Sequence, residues 1–187
     1  MNASPITTSN AAASRAAPRN DVVAAASIDS PVGALTIVVG DAGLRAIMWA
    51  DDDPQRCGLA GVELGEAGEH LLIDAARTQL AEYFAGQRMH FDLPLAPEGT
   101  EFQRSAWEAL QQIPYGATTT YGGQARAMGD INKARAVGAA NGKNPLSIVV
   151  PCHRVVGADG ALTGFAGGVD TKAWLLDHER AVVSRTS

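Results

Sequence analysis

The sequence predicts an α+β protein with a small N-terminal α/β domain followed by a mostly helical C-terminal domain. Residues 22–49 are rich in Val and Ile in short alternating runs, which is typical of antiparallel strands. Residues 69–85 carry apolar side chains at helical spacing, and after Gly99 short helical segments follow one another. We expect three segments: a disordered tail over 1–22, an α/β domain over 23–96 and a second domain over 97–187.

The composition indicates a soluble protein with one ordinary domain or two small ones. The chain has 187 residues, of which 46% are hydrophobic and 19% charged. No apolar run approaches the roughly 18 residues that a membrane span needs. The Ala/Ser-rich tail carries Arg15 and Arg19 but no acid before Asp21, so a transit peptide is the alternative to plain disorder. We expect that removing residues 1–22 leaves the activity intact.

The two cysteines, Cys57 and Cys152, do not form a disulfide framework, and the four histidines show no ligand spacing. We therefore expect reduced thiols in the cytoplasm and no metal site. Cys57 lies in a Gly-rich loop, where a small structural residue is the expected role. The run Asp51–Pro54 predicts a solvated turn.

The formal net charge of −5 is unevenly distributed. Residues 1–95 carry 6 basic and 12 acidic side chains, whereas residues 96–187 carry 9 basic and 8 acidic ones. Between 114 and 154 there are five basic residues against one acid. A local basic patch on an acidic protein is sufficient for contact with phosphates.

The N-terminal elements follow from the pattern of apolar residues and turns. Residues 35–39 and 44–49 predict two strands of a meander. The helix over 69–85 is followed by a short predicted strand over 89–95.

The C-terminal elements follow from capping and turn residues. Thr100 with Gln103 predicts a capping box that opens a helix ending near Ile113. A second helix is predicted from about Tyr121 to Gly129, and Asn132 is the expected N-cap of a third helix ending near Asn141. Two short helices joined by a tight turn indicate a helix-turn-helix.

The third helix has almost no bulky side chains. Its small residues are Ala134, Ala136, Gly138, Ala139 and Ala140, and Lys133 and Arg135 supply charge. Either it packs closely against another helix, or it approaches a large flat partner such as DNA. With Arg135 in a helix-turn-helix, a helix that faces DNA is the better interpretation.

The segment from Ile148 to Arg154 carries the candidate chemistry. Ile148–Val150 predicts a buried strand that leads to Pro151, Cys152, His153 and Arg154. A thiol becomes a strong nucleophile as thiolate, and a neighbouring imidazole can take its proton. Adjacent residues of a strand point to opposite faces, so the two side chains need a turn or a bridging water. Glu179, at the end of the last helix, is a candidate to orient His153. Taken alone, Cys152 fits a buried structural thiol and Glu179 a solvated helix end.

The same residues resemble the active-site signature of the O6-alkylguanine-DNA alkyltransferases, or methylated-DNA–protein-cysteine methyltransferases. The resemblance is strong over residues 100–179 and weak over 24–95. The motifs that carry it are Phe102-Gln103-x-x-x-Trp107, Ile113–Gly116, Tyr121-Gly122, Ala134–Gly138, Asn144-Pro145, Pro151–Val156, Gly164–Gly168 and Trp174-Leu175-Leu176-x-x-Glu179. With it we expect a ribonuclease H-like first domain and a winged helix-turn-helix-like second domain.

The resemblance implies a role for each matching residue. Cys152 would be the nucleophile, His153 a base acting through water, and Glu179 the last member of this relay. Tyr121 would donate a proton toward the departing guanine, Asn144 would hold the turn beside the nucleophile, and Arg135 would fill the space of the flipped nucleotide.

The resemblance also implies how the base and the DNA are held. The carbonyls of Cys152 and Val155 would accept from the guanine amine, and the Ala166 N–H would donate to O6. The implied substrate-binding loop includes Phe165 and Gly167. The implied minor-groove contacts come from Tyr121, Lys133, Ala134, Arg135 and Gly138.

The implied function is DNA repair by direct reversal, with a single transfer of an alkyl group from O6-alkylguanine to Cys152 and no cofactor. The partner would be double-stranded DNA that contains O6-alkylguanine, bound by a monomer in the cytoplasm or at the nucleoid, with O4-alkylthymine repair and cooperative binding left open. A DNA-binding regulator and a cysteine hydrolase are the rival classes. Phe165, Ala166 and Asn141 depart from some relatives, which bears on the range of alkyl groups more than on the reaction. The zinc ligands that some members carry in the first domain have no counterpart here.

Overall fold

The computed structural model describes residues 23–186, so the predicted tail lies outside the described residues. The α+β class is confirmed by a four-stranded sheet followed by a set of helices. The strands are β1 (Val23–Ile28), β2 (Leu35–Gly40), β3 (Gly43–Trp49), β4 (Leu64–Glu66), β5 (Thr119–Thr120) and β6 (Val155–Val156). The helices are α1 (Leu71–Phe84), α2 (Glu101–Leu110), α3 (Tyr121–Ala127), α4 (Ala134–Gly142) and α5 (Val169–Thr186), with 3-10 turns at Ile131–Lys133 and Cys152–Arg154.

The main sheet has the strand order β3-β2-β1-β4. The predicted meander is confirmed for β1 to β3, which pair antiparallel. β4 pairs parallel to β1 and had no signal in the sequence, since its three residues are all exposed. Every residue of β3 is buried, because one face of the sheet meets the main core and the other meets a second cluster around Cys57 and Leu59.

The predicted helix is confirmed as α1, but the predicted strand over 89–95 is wrong. Only Leu95 makes a strand-like bridge, to Leu44. The Gln79 side chain instead binds the backbone of Asp92 with both of its polar atoms, each at 2.8 Å. A side chain of α1 therefore satisfies the polar groups that a neighbouring strand would otherwise bind.

The predicted capping box is confirmed at the start of α2. Thr100 Oγ1 accepts from the Gln103 N–H at 3.2 Å, and Gln103 Oε1 accepts from the Thr100 N–H at 2.8 Å. The predicted N-cap at Asn132 is wrong. Asp130 Oδ1 accepts from the Asn132 N–H at 3.0 Å and opens a 3-10 turn, and α4 begins only at Ala134 without a side-chain cap.

Helices α2, α3 and α4 pack together in the second half of the chain. The Trp107 indole on α2 donates to the Ala140 carbonyl on α4 at 2.9 Å. Asn141 and Gln124 bind each other through two side-chain hydrogen bonds of 2.7 and 3.2 Å. A buried amide pair therefore holds α3 and α4 in one arrangement, which explains how Asn141 is accommodated in the core.

The buried strand predicted at Ile148–Val150 is wrong, although all three residues are buried. Ile148 has a φ of 72°, a left-handed conformation that a β-branched residue rarely adopts. Two short hydrogen-bonded turns enclose it: the Val149 N–H donates to the Ser147 carbonyl at 2.9 Å, and the Val150 N–H donates to the Leu146 carbonyl at 2.8 Å. The segment is a buried loop, and its burial explains the apolar run.

The loop 144–150 lies against β3, the strand at one edge of the main sheet. The Ile47 N–H on β3 donates to the Pro145 carbonyl at 2.8 Å, and the Trp49 indole donates to Ser147 Oγ at 3.1 Å. One hydrophobic core runs through both halves of the chain at this junction. Within residues 23–186, no helix is both long enough and apolar enough to cross a membrane.

Candidate active site

Cys152 opens the 3-10 turn that follows the loop 144–150. Its side chain is buried, and Asn144 Nδ2 lies 3.2 Å from Sγ and 2.8 Å from the Val150 carbonyl. Asn144 Oδ1 accepts from the Leu146 N–H at 3.0 Å. One amide side chain therefore ties both ends of the loop to the sulfur, which is where the sequence places a residue that holds the turn.

The charge state of Cys152 is set by opposing effects. Burial raises the pKa of the thiol above its ordinary value, while the Asn144 hydrogen bond and the charges of Lys172 and Arg56 lower it in part. The net shift is upward, so the resting group is the neutral thiol. Reaction as a nucleophile then requires a base that removes the proton.

His153 is fully buried beside Cys152. Its Nε2 lies 2.8 Å from Glu179 Oε1, whereas Nδ1 is buried and has no hydrogen-bond partner among residues 23–186. No hydrogen bond joins the side chains of His153 and Cys152 within the described structure, so the tight turn alone does not pair them. Burial lowers the pKa of His153 despite the neighbouring Glu179, which keeps the imidazole neutral.

Glu179 is the centre of a buried hydrogen-bond network. Its Oε1 is bound by His153, by Tyr83 Oη at 2.9 Å and by Arg154 Nη2 at 3.0 Å. Its Oε2 accepts from the Gly116 N–H and from Arg154 Nε, each at 2.9 Å. Burial alone would raise the pKa of this carboxyl, but the His153 and Arg154 interactions lower it to about 2. The ionised Glu179 accepts a hydrogen bond from the protonated Nε2 of His153. Nδ1 is then the unprotonated nitrogen, and it is the atom that can act as a base.

Arg154 is named beside the Cys-His pair from the sequence but is given no role there, and Tyr83 is missed altogether. Arg154 is buried, and besides Glu179 it donates to the Ile113 carbonyl at 2.7 Å. Its position directly after the Cys-His pair was a usable signal, because a buried guanidinium needs a carboxylate. Tyr83 gave no such signal, since on α1 it reads as one more core aromatic residue.

Lys172 and Tyr121 meet at the carbonyl of Thr163. Lys172 Nζ donates to that carbonyl at 2.9 Å and to the Val155 carbonyl at 2.6 Å. Tyr121 Oη donates to Thr163 at 3.1 Å, and the Lys172 ammonium lies 6.0 Å from the Tyr121 ring centroid. Lys172 is fully buried, and burial lowers its pKa. The Val155 carbonyl expected to bind guanine is thus already bound once, and its second lone pair stays available.

The loop that contains Phe165, Ala166 and Gly167 is supported by β3. The Phe165 ring lies edge-on to Trp49 at 5.5 Å and to His153 at 6.4 Å. A Cβ on Gly167 would come within 2.7 Å of the Trp49 indole, so only glycine allows this approach. Ala166 is exposed at the tip of the loop, with Phe165 half-buried.

The turn at Asp51–Pro54 is not simply solvated, because Asp52 is engaged. Its carboxylate binds Arg56 through both oxygens, with Arg56 Nε at 2.5 Å from Oδ1. Arg56 also donates to the carbonyl of Asn144. The α/β half thereby reaches the residue that holds Cys152. Cys57 next to it is buried, and burial raises the pKa of its thiol to about 11.

The exposed side of α4 carries the residues predicted to face DNA. Arg135 and Lys133 are exposed, while Ala134 and Gly138 are partly exposed. The bare surface of Gly138 lies against the Tyr121 ring, which a Cβ would approach to 3.6 Å. Arg135 and Tyr121 therefore belong to one surface made of α3 and α4. Within residues 23–186, no group of three His, Cys, Asp or Glu side chains is placed to hold a metal ion.

Both halves of the chain match domains of one protein family. Residues 23–97 match the ribonuclease-like domain of 6-O-methylguanine DNA methyltransferase, and residues 101–181 match its DNA-binding domain. The methylated-DNA–protein-cysteine methyltransferase of Methanosarcina acetivorans is 45% identical over 154 residues, or 81% of this chain and 94% of the relative. That of Mycolicibacterium paratuberculosis is 48% identical over 155 residues, or 82% and 90%.

A solved structure matches the fold as well. The Mycobacterium tuberculosis OGT crystallised in complex with DNA superposes with a TM-score of 0.77 at 40% identity. The match covers 85% of this chain and 94% of the solved one.

Proposed function

The chain belongs to the 6-O-methylguanine DNA methyltransferase family, and we propose that it repairs DNA by moving an alkyl group from O6 of guanine to its own Cys152. The observation that carries this proposal is the buried arrangement of Cys152, His153 and Glu179. It combines a neutral thiol, a neutral imidazole with a free Nδ1, and an ionised carboxylate on the opposite nitrogen.

The proton leaves Cys152 through a water molecule to Nδ1 of His153. A relay of this kind is permitted geometry for general-base catalysis when the two groups are not in contact. Glu179 keeps the proton on Nε2 and stabilises the imidazolium that forms. The positive charge that forms on His153 is thereby balanced by the Glu179 carboxylate, which also binds Arg154.

The thiolate then displaces guanine from the alkyl carbon. A carbon–sulfur bond forms, the bond from carbon to O6 breaks, and its electron pair moves onto the purine. Tyr121 supplies a proton to the departing base, and the phenolate left behind recovers the proton that His153 took from Cys152. The product is a thioether, which has no ready route of hydrolysis, so each molecule acts once. The DNA itself provides the alkyl group, so the transfer uses no cofactor.

The target base is reached outside the helix, because O6 of guanine is inaccessible inside a duplex. The α4 surface enters the minor groove, with Arg135 in the space that the flipped nucleotide leaves and Lys133 on the backbone. Small residues such as Ala134 and Gly138 allow this close approach. The Cys152 and Val155 carbonyls, the Ala166 N–H and the Phe165–Gly167 loop hold the base. The protein acts as a monomer on O6-alkylguanine in duplex DNA, in the cytoplasm or at the nucleoid.

The test is transfer of label from DNA that contains radioactive O6-methylguanine. We expect one equivalent of label per protein, on Cys152, with none on a Cys152→Ala variant. A Cys57→Ala variant is the matched control and should react like the wild type. A pure DNA-binding regulator would take up no label, and a cysteine hydrolase would turn over without keeping any; either result contradicts the proposal.

A further inference from the structure

The N-terminal half contributes a side chain to the reactive centre. Tyr83 lies near the end of α1, is fully buried, and donates its hydroxyl to Glu179 Oε1 at 2.9 Å. This is the oxygen that also binds Nε2 of His153 at 2.8 Å. The tyrosine and the histidine therefore share one acceptor atom.

The donors around Glu179 fill its acceptor capacity. Five N–H or O–H groups from four residues point at two oxygens, which together offer about four lone-pair sites. The Tyr83 hydroxyl partly neutralises the negative charge on Oε1, so this oxygen attracts the proton on His153 Nε2 less strongly. Removing the phenolic proton would leave that oxygen more basic toward Nε2.

Several other charged or titratable groups face His153 and Glu179. Arg154 binds both oxygens of Glu179, the charge of Lys172 also acts on His153, and the Arg154 guanidinium lies 5.4 Å from the Tyr115 ring centroid. Arg154 and Lys172 are cations that disfavour an imidazolium. Glu179 is the group that favours it, so its effective basicity decides when His153 is protonated.

From this geometry we propose that Tyr83 is a positioning residue of the alkyl transfer, which holds Glu179 Oε1 in line with His153 Nε2 and limits how strongly that oxygen binds the His153 proton. This role rests on the proposed function, in which Nδ1 of His153 must be free to accept a proton. Tyr83 thereby adds to the effect of burial, which keeps His153 neutral at rest.

The test compares Tyr83→Phe with the matched control Tyr115→Phe. Each substitution removes one buried hydroxyl and keeps the ring, but Tyr115 Oη has no hydrogen-bond partner within the described structure. Two quantities are measured on the full chain: the rate of transfer from free O6-benzylguanine between pH 5 and 9, and the pKa of His153 by NMR titration of its ring protons.

We expect Tyr83→Phe to raise the pKa of His153 by roughly half a unit to one unit. The acid limb of the pH–rate profile should move upward by the same amount, which lowers the rate about three- to tenfold at pH values below the His153 pKa. Tyr115→Phe should leave both quantities unchanged. A purely structural role for Tyr83 would lower Tm without moving either the pKa or the profile, and that result overturns the inference.

The two proposals fail in different ways. If the wild type does not react with O6-benzylguanine or methylated DNA, the proposed function is wrong, and the His153 titration still decides whether Tyr83 tunes the imidazole. If the wild type reacts and Tyr83→Phe matches it in both measurements, only the inference about Tyr83 is wrong.

Discussion

The reactive centre and the α4 surface solve opposite physical problems. Around Glu179 the charged groups are fully or almost fully buried and every one depends on another, with Arg154 and His153 held by the same carboxylate. At the start of α4 the charged residues Lys133 and Arg135 are exposed, and small residues such as Ala134 and Gly138 line the same helix. Damage to the first region should therefore affect stability and chemistry together. Damage to the second should affect only reactions that involve DNA.

The largest effect is expected for Glu179→Gln. The substitution leaves the buried Arg154 guanidinium without its carboxylate, and breaking a buried pair in this way costs about 3–5 kcal/mol. Chemical denaturation should show that loss, and transfer should fall with free O6-benzylguanine and with DNA alike. The control is Asp177→Asn on the same helix, whose ion pair with Arg180 is exposed on both sides. If the two variants were equally stable, the network would not hold the centre together.

The next effect is expected for Arg135→Ala. Loss of the side chain that we propose fills the vacated stack should slow repair of duplex DNA about tenfold, equivalent to about 1.4 kcal/mol. Reaction with free O6-benzylguanine should stay near the wild-type rate, as should Tm. Arg180→Ala removes the same charge from α5 and controls for general attraction to phosphates. Equal losses with both substrates would refute the role in base extrusion.

A smaller effect is expected from the pH dependence of the reactive centre. Burial holds the pKa of His153 below its ordinary 6.5, so transfer from free O6-benzylguanine should slow only on acidification below pH 6.5. Burial holds the pKa of Cys152 above 9.0, so the rate should rise further on the alkaline side. Samples quenched at timed intervals at each pH give the transfer rate on both the acid and the alkaline side of the profile. A midpoint at or above pH 6.5 on the acid side would contradict the neutral, buried imidazole.

Folding stability should follow the same groups. The unfolded chain binds a proton on His153 below pH 6.5, where the folded chain does not, so stability falls with acidification from that point. Glu179 has a pKa of about 2 against an ordinary 4.5, so its contribution is complete above pH 4.5 and is lost as the pH falls toward 2. Thermal unfolding between pH 2 and 8 measures this slope. The Glu179→Gln variant should show a flatter one.

The smallest effect is expected for Gly138→Ala. A Cβ fits at 3.6 Å from the Tyr121 ring, and replacing a helical glycine gains about 1 kcal/mol of stability. Tm should therefore rise while reaction with the free base is unchanged, and duplex repair should fall slightly because the added methyl keeps DNA away. Gly142→Ala, on the same helix with nothing within 4 Å, is the control for stability alone. A rise in duplex repair for Gly138→Ala would mean that this surface does not approach DNA closely.

Predictions based on local patterns succeeded where neighbouring residues decide the structure. The capping box of Thr100 and Gln103 and the helix α1 depend on residues three or four apart, and both are confirmed. The predicted strands at 89–95 and 148–150 failed because their hydrogen-bond partners lie elsewhere. The side chain of Gln79 serves the first segment, and the second turns back on itself around Ile148.

The sequence by itself determined the α+β class, the helix-turn-helix of small residues, and the Cys152–His153 pair with Glu179 as its candidate partner. Local patterns and spacing are sufficient for the first two features, whereas the role of Cys152 and the choice of Glu179 came from the resemblance to a known family. Only the tertiary structure decided that Tyr83 and Arg154 share the Glu179 carboxylate, and that Arg56 reaches Asn144 beside the nucleophile. The reason is that a buried charge takes its partners from whichever elements the core brings together, and these partners lie up to 96 residues away in the chain.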